Sequence, residues 1–371
     1  SNVENNAAPG HSITLKIDDV LPTISGSRDP VANSFGWNNG SITVSFTCSD
    51  AESGIAACDN PVTLNSEGAG QSVTGNARDN ASNMNSATVS NINIDLTKPT
   101  LNGAATTQPN ANGWYKGDVT IHWTASDALS GLDGAAPADS VIAGEGNNLG
   151  AGPFTIADKA GNVSDPASVS GIKIDRTPPT VAFVGGPSNG GSYYFGNVPA
   201  APTCTANDEL SGLAGSCVVS GFGTSVGPYT LTATATDNAG NTTTATRTYT
   251  VLAWNFGTGF YQPVDNSGTS IVWNTVRAGS TVPLKFNLYA GTTKLTDTNQ
   301  IVQPLRAVGV TCSTGTSDDI ELTATGGTSL RWDATAQQFI YNWKTPATIG
   351  CYKVTISAID GSTLSAYFRL R

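Results

Sequence analysis

The sequence predicts an all-β protein made of consecutive β-sandwich domains, and three observations carry that reading. The first is a repeat. Residues 14–23 read TLKIDDVLPT, 91–100 read NINIDLTKPT and 171–180 read GIKIDRTPPT, so Asp18, Asp95 and Asp175 stand 77 and 80 residues apart. A second mark is SDAESGI at 49–55, SDALSGL at 126–132 and NDELSGL at 207–213, with Asp50, Asp127 and Asp208 spaced by 77 and 81. A third is ARDNASN at 77–83, ADKAGN at 157–162 and TDNAGN at 236–241, where Asp79, Asp158 and Asp237 are spaced by 79 and 79. Three marks in constant order at one period define repeated units. The second observation is period-two alternation of apolar residues between the marks. The third is composition: only 12% of the 371 residues are charged, while glycine alone numbers 41, which suits short strands and many turns.

Each expected element has its own signal. DVTIHWTASD (118–127) sets Val119, Ile121 and Trp123 against Thr120, His122 and Thr124, as a half-buried strand does. SITVSFTCSD (41–50) keeps the same register with Ile42, Val44 and Phe46. In the third unit GPYTLTATATD (227–237) turns at Asn238-Ala239-Gly240-Asn241 and returns as TTTATRTYTV. Asn and Gly supply the positive φ that a tight hairpin needs. The proline-bearing stretches that follow end the ladder and read as joints between units. No segment reads as a helix.

The joints divide the chain into 1–21, an orphan strand and linker; repeats at 22–98, 99–178 and 179–252; and a different block at 253–371. HSITLKIDD (11–19) matches the last strand of a repeat without the strands before it. It is expected to be the end of a preceding repeat or a strand donated to a neighbouring sheet edge. The six cysteines pair by position: Cys48 with Cys58, Cys204 with Cys217, Cys312 with Cys351. The first two pairs flank the second mark and read as equivalent places in repeats one and three. Disulfides fit this spacing better than a metal site, and they imply an oxidising, extracytoplasmic compartment. Loops this short would gain about 2–3 kcal/mol each.

The residues also resemble a known group. GWYKGDVTIHWTASDALSGL with ADKAGN and IDRTPPT, and GWNNGSITVSFTCSDAESGI before them, are similar to the bacterial immunoglobulin-like domains of secreted and cell-surface proteins. The resemblance covers about 19–252 and implies a linear array of immunoglobulin-like β-sandwich domains. The third repeat departs from it, with YYFGNVPAAPTCTANDELSGL in place of the Gly-Trp opening. The last block, with GFYQPVDNSGTSIVWNTVRAGSTVPLKFNLY (259–289), LRWDATAQQFIYNWKT (330–345) and GSTLSAYFRLR (361–371), resembles the PxKF-type C-terminal domain of exported bacterial proteins. Pro283-Leu284-Lys285-Phe286 is its name motif.

Charge and motif content exclude several function classes. Residues 1–252 carry nine Lys/Arg against 21 Asp/Glu and the remainder nine against seven. An acidic body without a basic stripe does not suit nucleic acid. No 18-residue apolar run is present. The start of the chain has no secretory-signal pattern, so any such peptide is expected to be removed or to lie outside this sequence. The two histidines, His11 and His122, have no nucleophile motif beside them, so no catalytic residue is expected.

The sharpest chemical candidate is acidic. In such a sandwich the incoming joint, the loop after the second strand and the last hairpin turn share one end. Joint one would gather Asp18, Asp19, Asp50, Glu52 and Asp79; joint two Asp95, Asp127 and Asp158; joint three Asp175, Asp208, Glu209 and Asp237. These carboxylates suit Ca2+, which takes six to eight oxygens. The competing reading has each aspartate capping turn N–H groups, with Lys98 and Arg176 neutralising joints two and three. Tyr193, Tyr194 and Phe195 form a candidate ligand contact against the alternative of a local core; Trp37 and Trp114 read as packing residues.

These readings converge on a non-enzymatic, secreted or cell-surface structural or adhesive module, a semi-rigid stalk or filament subunit. Its expected partners are other copies of itself or a surface protein or glycan, with no membrane insertion. The alternative is an accessory spacer or glycan-binding region of a secreted bacterial hydrolase whose catalytic domain lies elsewhere.

Overall fold

The computed structural model describes residues 16–320 and 328–371. Contacts divide it into two compact units, one ending at Arg176 and one beginning at Thr177. Strands dominate both, and the only helical element among the described residues is one 3-10 turn, Thr298–Gln300. No described helix is long and apolar enough to cross a membrane.

The first unit holds two sandwiches. Module one contains β1 (Thr23–Asp29), β2 (Ile42–Ser49), β3 (Ile55–Cys58), β4 (Val62–Leu64), β5 (Gly68–Asp79) and β6 (Met84–Ile94). Its sheets run β1-β2-β4 and β3-β5-β6, the immunoglobulin-like division of strands. The alternation read from the sequence turns Ile42 and Val44 of β2 and Ile92 and Ile94 of β6 inward, all fully buried. Each such side chain contributes about 1.5–3 kcal/mol on burial. Module two contains β7 (Thr100–Ala105), β8 (Val119–Ser126), β9 (Ser140–Ile142), β10 (Gly146–Phe154) and β11 (Ala167–Ile174). Its sheets are β7-β8-β9 and β10-β11, over a core of Leu101, Val119, Ile121, Trp123, Ile142, Ile156 and Ile174. The counterpart of β3 shrinks to a single bridge, Leu132 to Asp158.

The second unit opens with β12 (Thr180–Val184), β13 (Gly191–Tyr194), β14 (Thr203–Asn207), β15 (Val218–Ser220), β16 (Gly227–Thr236) and β17 (Thr242–Leu252). These form sheets β12-β14 and β13-β17-β16-β15, with Leu231, Tyr249 and Val251 at the centre. The last block is a larger sandwich. One sheet holds Phe260–Tyr261, Thr281–Phe286, Gln338–Lys344 and Leu330–Asp333; the other holds Arg306–Val310, Gly350–Ser357, Thr363–Leu370, Val272–Val276 and Thr316–Asp319. Leu284 and Phe286 of the PLKF stretch point into its core, as their alternation requires, and Phe286 stacks on Phe339.

Register makes the repeats superimposable residue by residue. Thr23 pairs with Ser49, Thr100 with Ser126 and Thr180 with Asn207, and in each pair the Thr hydroxyl donates to the partner's carbonyl. Three residues on, Gly26 faces Phe46 and Gly103 faces Trp123, but Phe183 faces Cys204. The first two glycines are required by space: a Cβ on Gly103 would stand 2.5 Å from the Trp123 ring, and one on Gly26 would stand 2.4 Å from Val89. Module three exchanges the large and small partners, so the volume is kept while the side of origin changes.

The same register corrects one expectation. All three disulfides form as paired by position. However, Cys48 faces Ile24, next to the Thr23 pair, whereas Cys204 faces Phe183, three steps from the Thr180 pair. The bridges of repeats one and three therefore start from positions two residues apart, and Cys204 stands where Phe46 and Trp123 stand. Of the expected strand at 11–19, residues 11–15 lie outside the described residues and 16–19 form no regular strand.

Candidate functional site

At the start of each repeat the aspartates are placed by backbone geometry. In joint two, Asp127 follows β8 and its Oδ1 accepts from the backbone N–H groups of Leu129 (3.2 Å) and Gly131 (2.7 Å), closing the SDALSGL loop. Gly131 takes φ +75°, which its lack of a Cβ permits. Asp158 opens the hairpin turn between β10 and β11. Its Oδ1 accepts from Gly161 N (2.7 Å) and Asn162 N (2.9 Å), and its Oδ2 from Asn162 Nδ2 (2.8 Å). Asp95 leaves the end of β6, accepting from Thr97 N (3.1 Å) within the joint and from Ser130 N (2.9 Å) in the next loop.

These bonds converge the three side chains. One carboxylate oxygen from each of Asp95, Asp127 and Asp158 lies within 4.8 Å of the others, and Asp95 and Asp158 are fully buried. Asp18, Asp50 and Asp79 converge in the same way in joint one, with Asp79 buried and the other two half-buried. There Asp50 Oδ1 accepts from Glu52 N, Ser53 N and Gly54 N, and Asp18 Oδ2 accepts from Ser53 N. Asp19 and Glu52 stand exposed at the rim of this triad. Repulsion, chiefly from Asp18, pushes the Glu52 carboxyl above its usual range, while hydrogen bonding with Ser53 holds Asp18 below its own. For joint three, Asp175 ends the first unit, whereas Asp208, Glu209 and Asp237 belong to the second. Within their unit Asp208 closes its loop onto Gly212 N and Asp237 holds Asn241, as in the earlier repeats.

Three unit charges at this spacing are costly. In a part-buried setting each pair repels by roughly 3 kcal/mol at an effective dielectric of about 20. No ion pair among the described residues involves the six carboxylates of these two triads. Lys98, expected to neutralise joint two, pairs instead with Asp165 at 2.7 Å on the surface, and Arg176 pairs with Asp118. Turn capping is real but incomplete, because the second oxygen of Asp50 and of Asp127 accepts no hydrogen bond among the described residues. A calcium ion holds its oxygens at about 2.3–2.6 Å, so two ligands on one ion stand at most about 5 Å apart. Both triads meet that span with hard carboxylate donors.

One asparagine in each third mark also serves the joints. The closing asparagine of each hairpin mark, Asn83 or Asn162, donates from Nδ2 to the incoming joint: Asn162 reaches Asp95 O (2.9 Å) and Thr97 O (3.2 Å), Asn83 reaches Asp18 O (3.1 Å) and Val20 O (3.2 Å). Glu67, ahead of β5, accepts from Leu96 N and Thr97 Oγ1 at 2.7 Å each and so ties module one to the outgoing joint. His122, on β8, pairs with Asp139 at 2.7 Å at the surface; His11 lies outside the described residues. Trp114 is buried beneath Lys173.

The aromatic cluster of module three sits at a joint of another kind. Tyr193 packs edge-on to Tyr249, and its hydroxyl meets Ser188. Tyr194 and Phe195 pack against the core of the last sandwich. Phe195 meets Trp254 edge-to-face with centroids 5.3 Å apart, and its carbonyl accepts from Trp254 Nε1 at 3.1 Å. Trp254, itself buried, donates its backbone N–H to Asp360 at 2.5 Å.

No protein-family model matches the chain, and no curated protein matches it. Among solved structures it is similar to invasin, a bacterial integrin-binding protein, at 11% identity over 94% of this chain and 79% of that one, with a TM-score of 0.31. It is also similar to a Ca2+-stabilized, ice-binding adhesin of an Antarctic bacterium, at 14% identity over 94% and 97% of the two chains, with a TM-score of 0.32. A tetra-tandem repeat from the extending region of a large adhesion protein is 16% identical over 95% and 100%, with a TM-score of 0.25. Likeness at this level carries no functional argument.

Proposed function

We propose that the chain is a non-enzymatic extracellular structural or adhesive segment whose immunoglobulin-like modules act as a semi-rigid stalk, with divalent calcium held by the carboxylates of its acidic joints. The observation that carries this reading is the pair of convergent aspartate triads, each at the start of a module and each without a side-chain cation. When bound, calcium would supply positive charge to Asp18, Asp50 and Asp79 and to Asp95, Asp127 and Asp158. Asp19 and Glu52 are candidate outer partners. A joint whose carboxylates share one ion loses the freedom to swing, because each ligand comes from a different strand end. Three disulfides support an oxidising, extracytoplasmic location. Small-angle scattering of the full chain tests the stalk reading. Calcium should narrow the distribution of dimensions relative to EDTA, and identical profiles in the two conditions would remove it.

Assembly through the N-terminal strand belongs to the same proposal. Ile17 is 75% exposed, whereas Ile94 and Ile174, its equivalents in the repeat, are fully buried at the ends of their own sandwiches. A neighbouring copy whose sheet edge accepts the segment around Ile17 would cover it. Filaments in electron micrographs that vanish on Ile17→Asp are the expected result, and unchanged monomers at high concentration would oppose it.

A further inference from the structure

We infer that Asn33 is a positioning residue that braces module one against the hairpin turn of module two, holding the turn that carries Asp158 whether or not an ion is present. Asn33 opens the 33–37 turn, NSFGW, between β1 and β2. Its backbone N–H donates to Trp37 O (2.9 Å), and its Oδ1 accepts from Phe35 N (3.0 Å) and Trp37 N (3.1 Å). That exhausts what the turn asks of the side chain. The remaining group, Nδ2, crosses to module two and donates to Lys159 O at 2.7 Å. Lys159 follows Asp158 directly, and its own N–H donates to Gly131 O in the loop of Asp127. A single amide therefore fastens the body of module one to the turn joining two of the three carboxylates.

Two further observations point the same way. Asn39, from the same loop, comes so near the turn that a Cβ on Gly161 would stand 3.4 Å from its Nδ2. The motif also tracks the type of joint that follows it in the chain. Module two repeats the turn as NANGW (110–114), with Asn110 Oδ1 accepting from Asn112 N (2.9 Å) and Trp114 N (3.0 Å), and it leads to Asp175. Module three lacks the motif and leads instead to Trp254. An asparagine that served only its local turn would have no reason to follow the chemistry of the next joint.

Asn33→Asp separates the two roles, because the carboxylate keeps the acceptor that the turn uses and loses the donor that reaches Lys159. Hydrogen exchange of the full chain, followed by mass spectrometry in EDTA, reads the effect in the other module. The expected result is about fivefold faster exchange across 157–163, the size of one net hydrogen bond, with β5 and β6 of module one as protected as before. Asn33→Ser, whose hydroxyl can serve the turn but is too short to reach Lys159, is the second variant and should do the same. Faster exchange confined to module one, unchanged exchange at 157–163 in both variants, or loosening there only when β5 and β6 also open would overturn the inference. Because calcium is absent throughout, the outcome does not depend on whether the triads bind it.

Discussion

The joint between modules one and two and the joint between module three and the last sandwich meet the same need with opposite chemistry. The first buries Asp95 and Asp158 beside Asp127 and ties them with backbone N–H groups. The second buries Trp254 against Phe195 and runs Tyr194 and Phe195 into a neighbouring core. An apolar joint is complete as built, since water leaves and nothing else must arrive. On the proposed reading the acidic joint takes up a counter-charge, which would make its stiffness depend on the medium. The difference shows that one repeat architecture accommodates both a buried carboxylate joint and a buried aromatic one.

The comparison breaks first at its apolar side. Trp254→Ala should cost about 3–5 kcal/mol in urea unfolding of the second unit, since it removes a buried ring together with its Nε1 donor. The loss should be the same in calcium and in EDTA. A calcium-dependent loss would erase the contrast between the joints.

A smaller effect is expected on the acidic side. Calcium at about a hundredfold over its dissociation constant should stabilise the first unit by about 2.7 kcal/mol per site. Asp158→Asn keeps an acceptor for Gly161 and Asn162 but removes a charge, and should abolish most of the part due to joint two. Calorimetry with and without EDTA reads both. Asn162→Ala should cost about 1–2 kcal/mol in calcium-free buffer, because it unties Asp95 O and Thr97 O together and leaves Asp158 short of a donor. Comparable loss from the same change at a surface asparagine outside the joints would deny it a special place.

The smallest effect is on pH. Asp18 is held below its ordinary 3.8, so its contribution is present above that value and lost as pH falls through the lowered one. Glu52 is pushed above its ordinary 4.5, so its contribution is present below that value and lost as pH rises through the raised one. The first unit in EDTA should therefore change stability slightly on both sides of this interval. A flat profile for the first unit would count against this account of joint one.

Much of this was legible because the marks repeat. Asp18, Asp50 and Asp79 lie far apart in sequence, but a sandwich brings its incoming joint, second-strand exit and last turn to one end, and so the period itself gathers them. Alternation likewise located β2, β8, β16 and β17. What could not be read depended on depth and on partners. The pattern singles out Asp50 and Asp127, which share one place in the second mark, but it does not show that Asp79, Asp95 and Asp158 are buried while Asp50 and Asp127 are only half-buried. The roles of Asn162 and Asn33 reside in an amide nitrogen aimed at a backbone carbonyl of the adjoining module, and a carbonyl leaves no trace in sequence. The exchange of Gly26/Phe46 for Phe183/Cys204 shows why cysteine position misled: equivalence follows strand register, and register appears only once the pairs are aligned.

Calcium stoichiometry of the full chain tests the central claim most directly. After dialysis against calcium and removal of free ion, elemental analysis should find bound calcium that falls by one ion per chain on Asp95→Asn and is unaffected by Trp254→Ala. A native chain that retains no calcium, or an Asp95→Asn chain that retains as much as the native one, would contradict it.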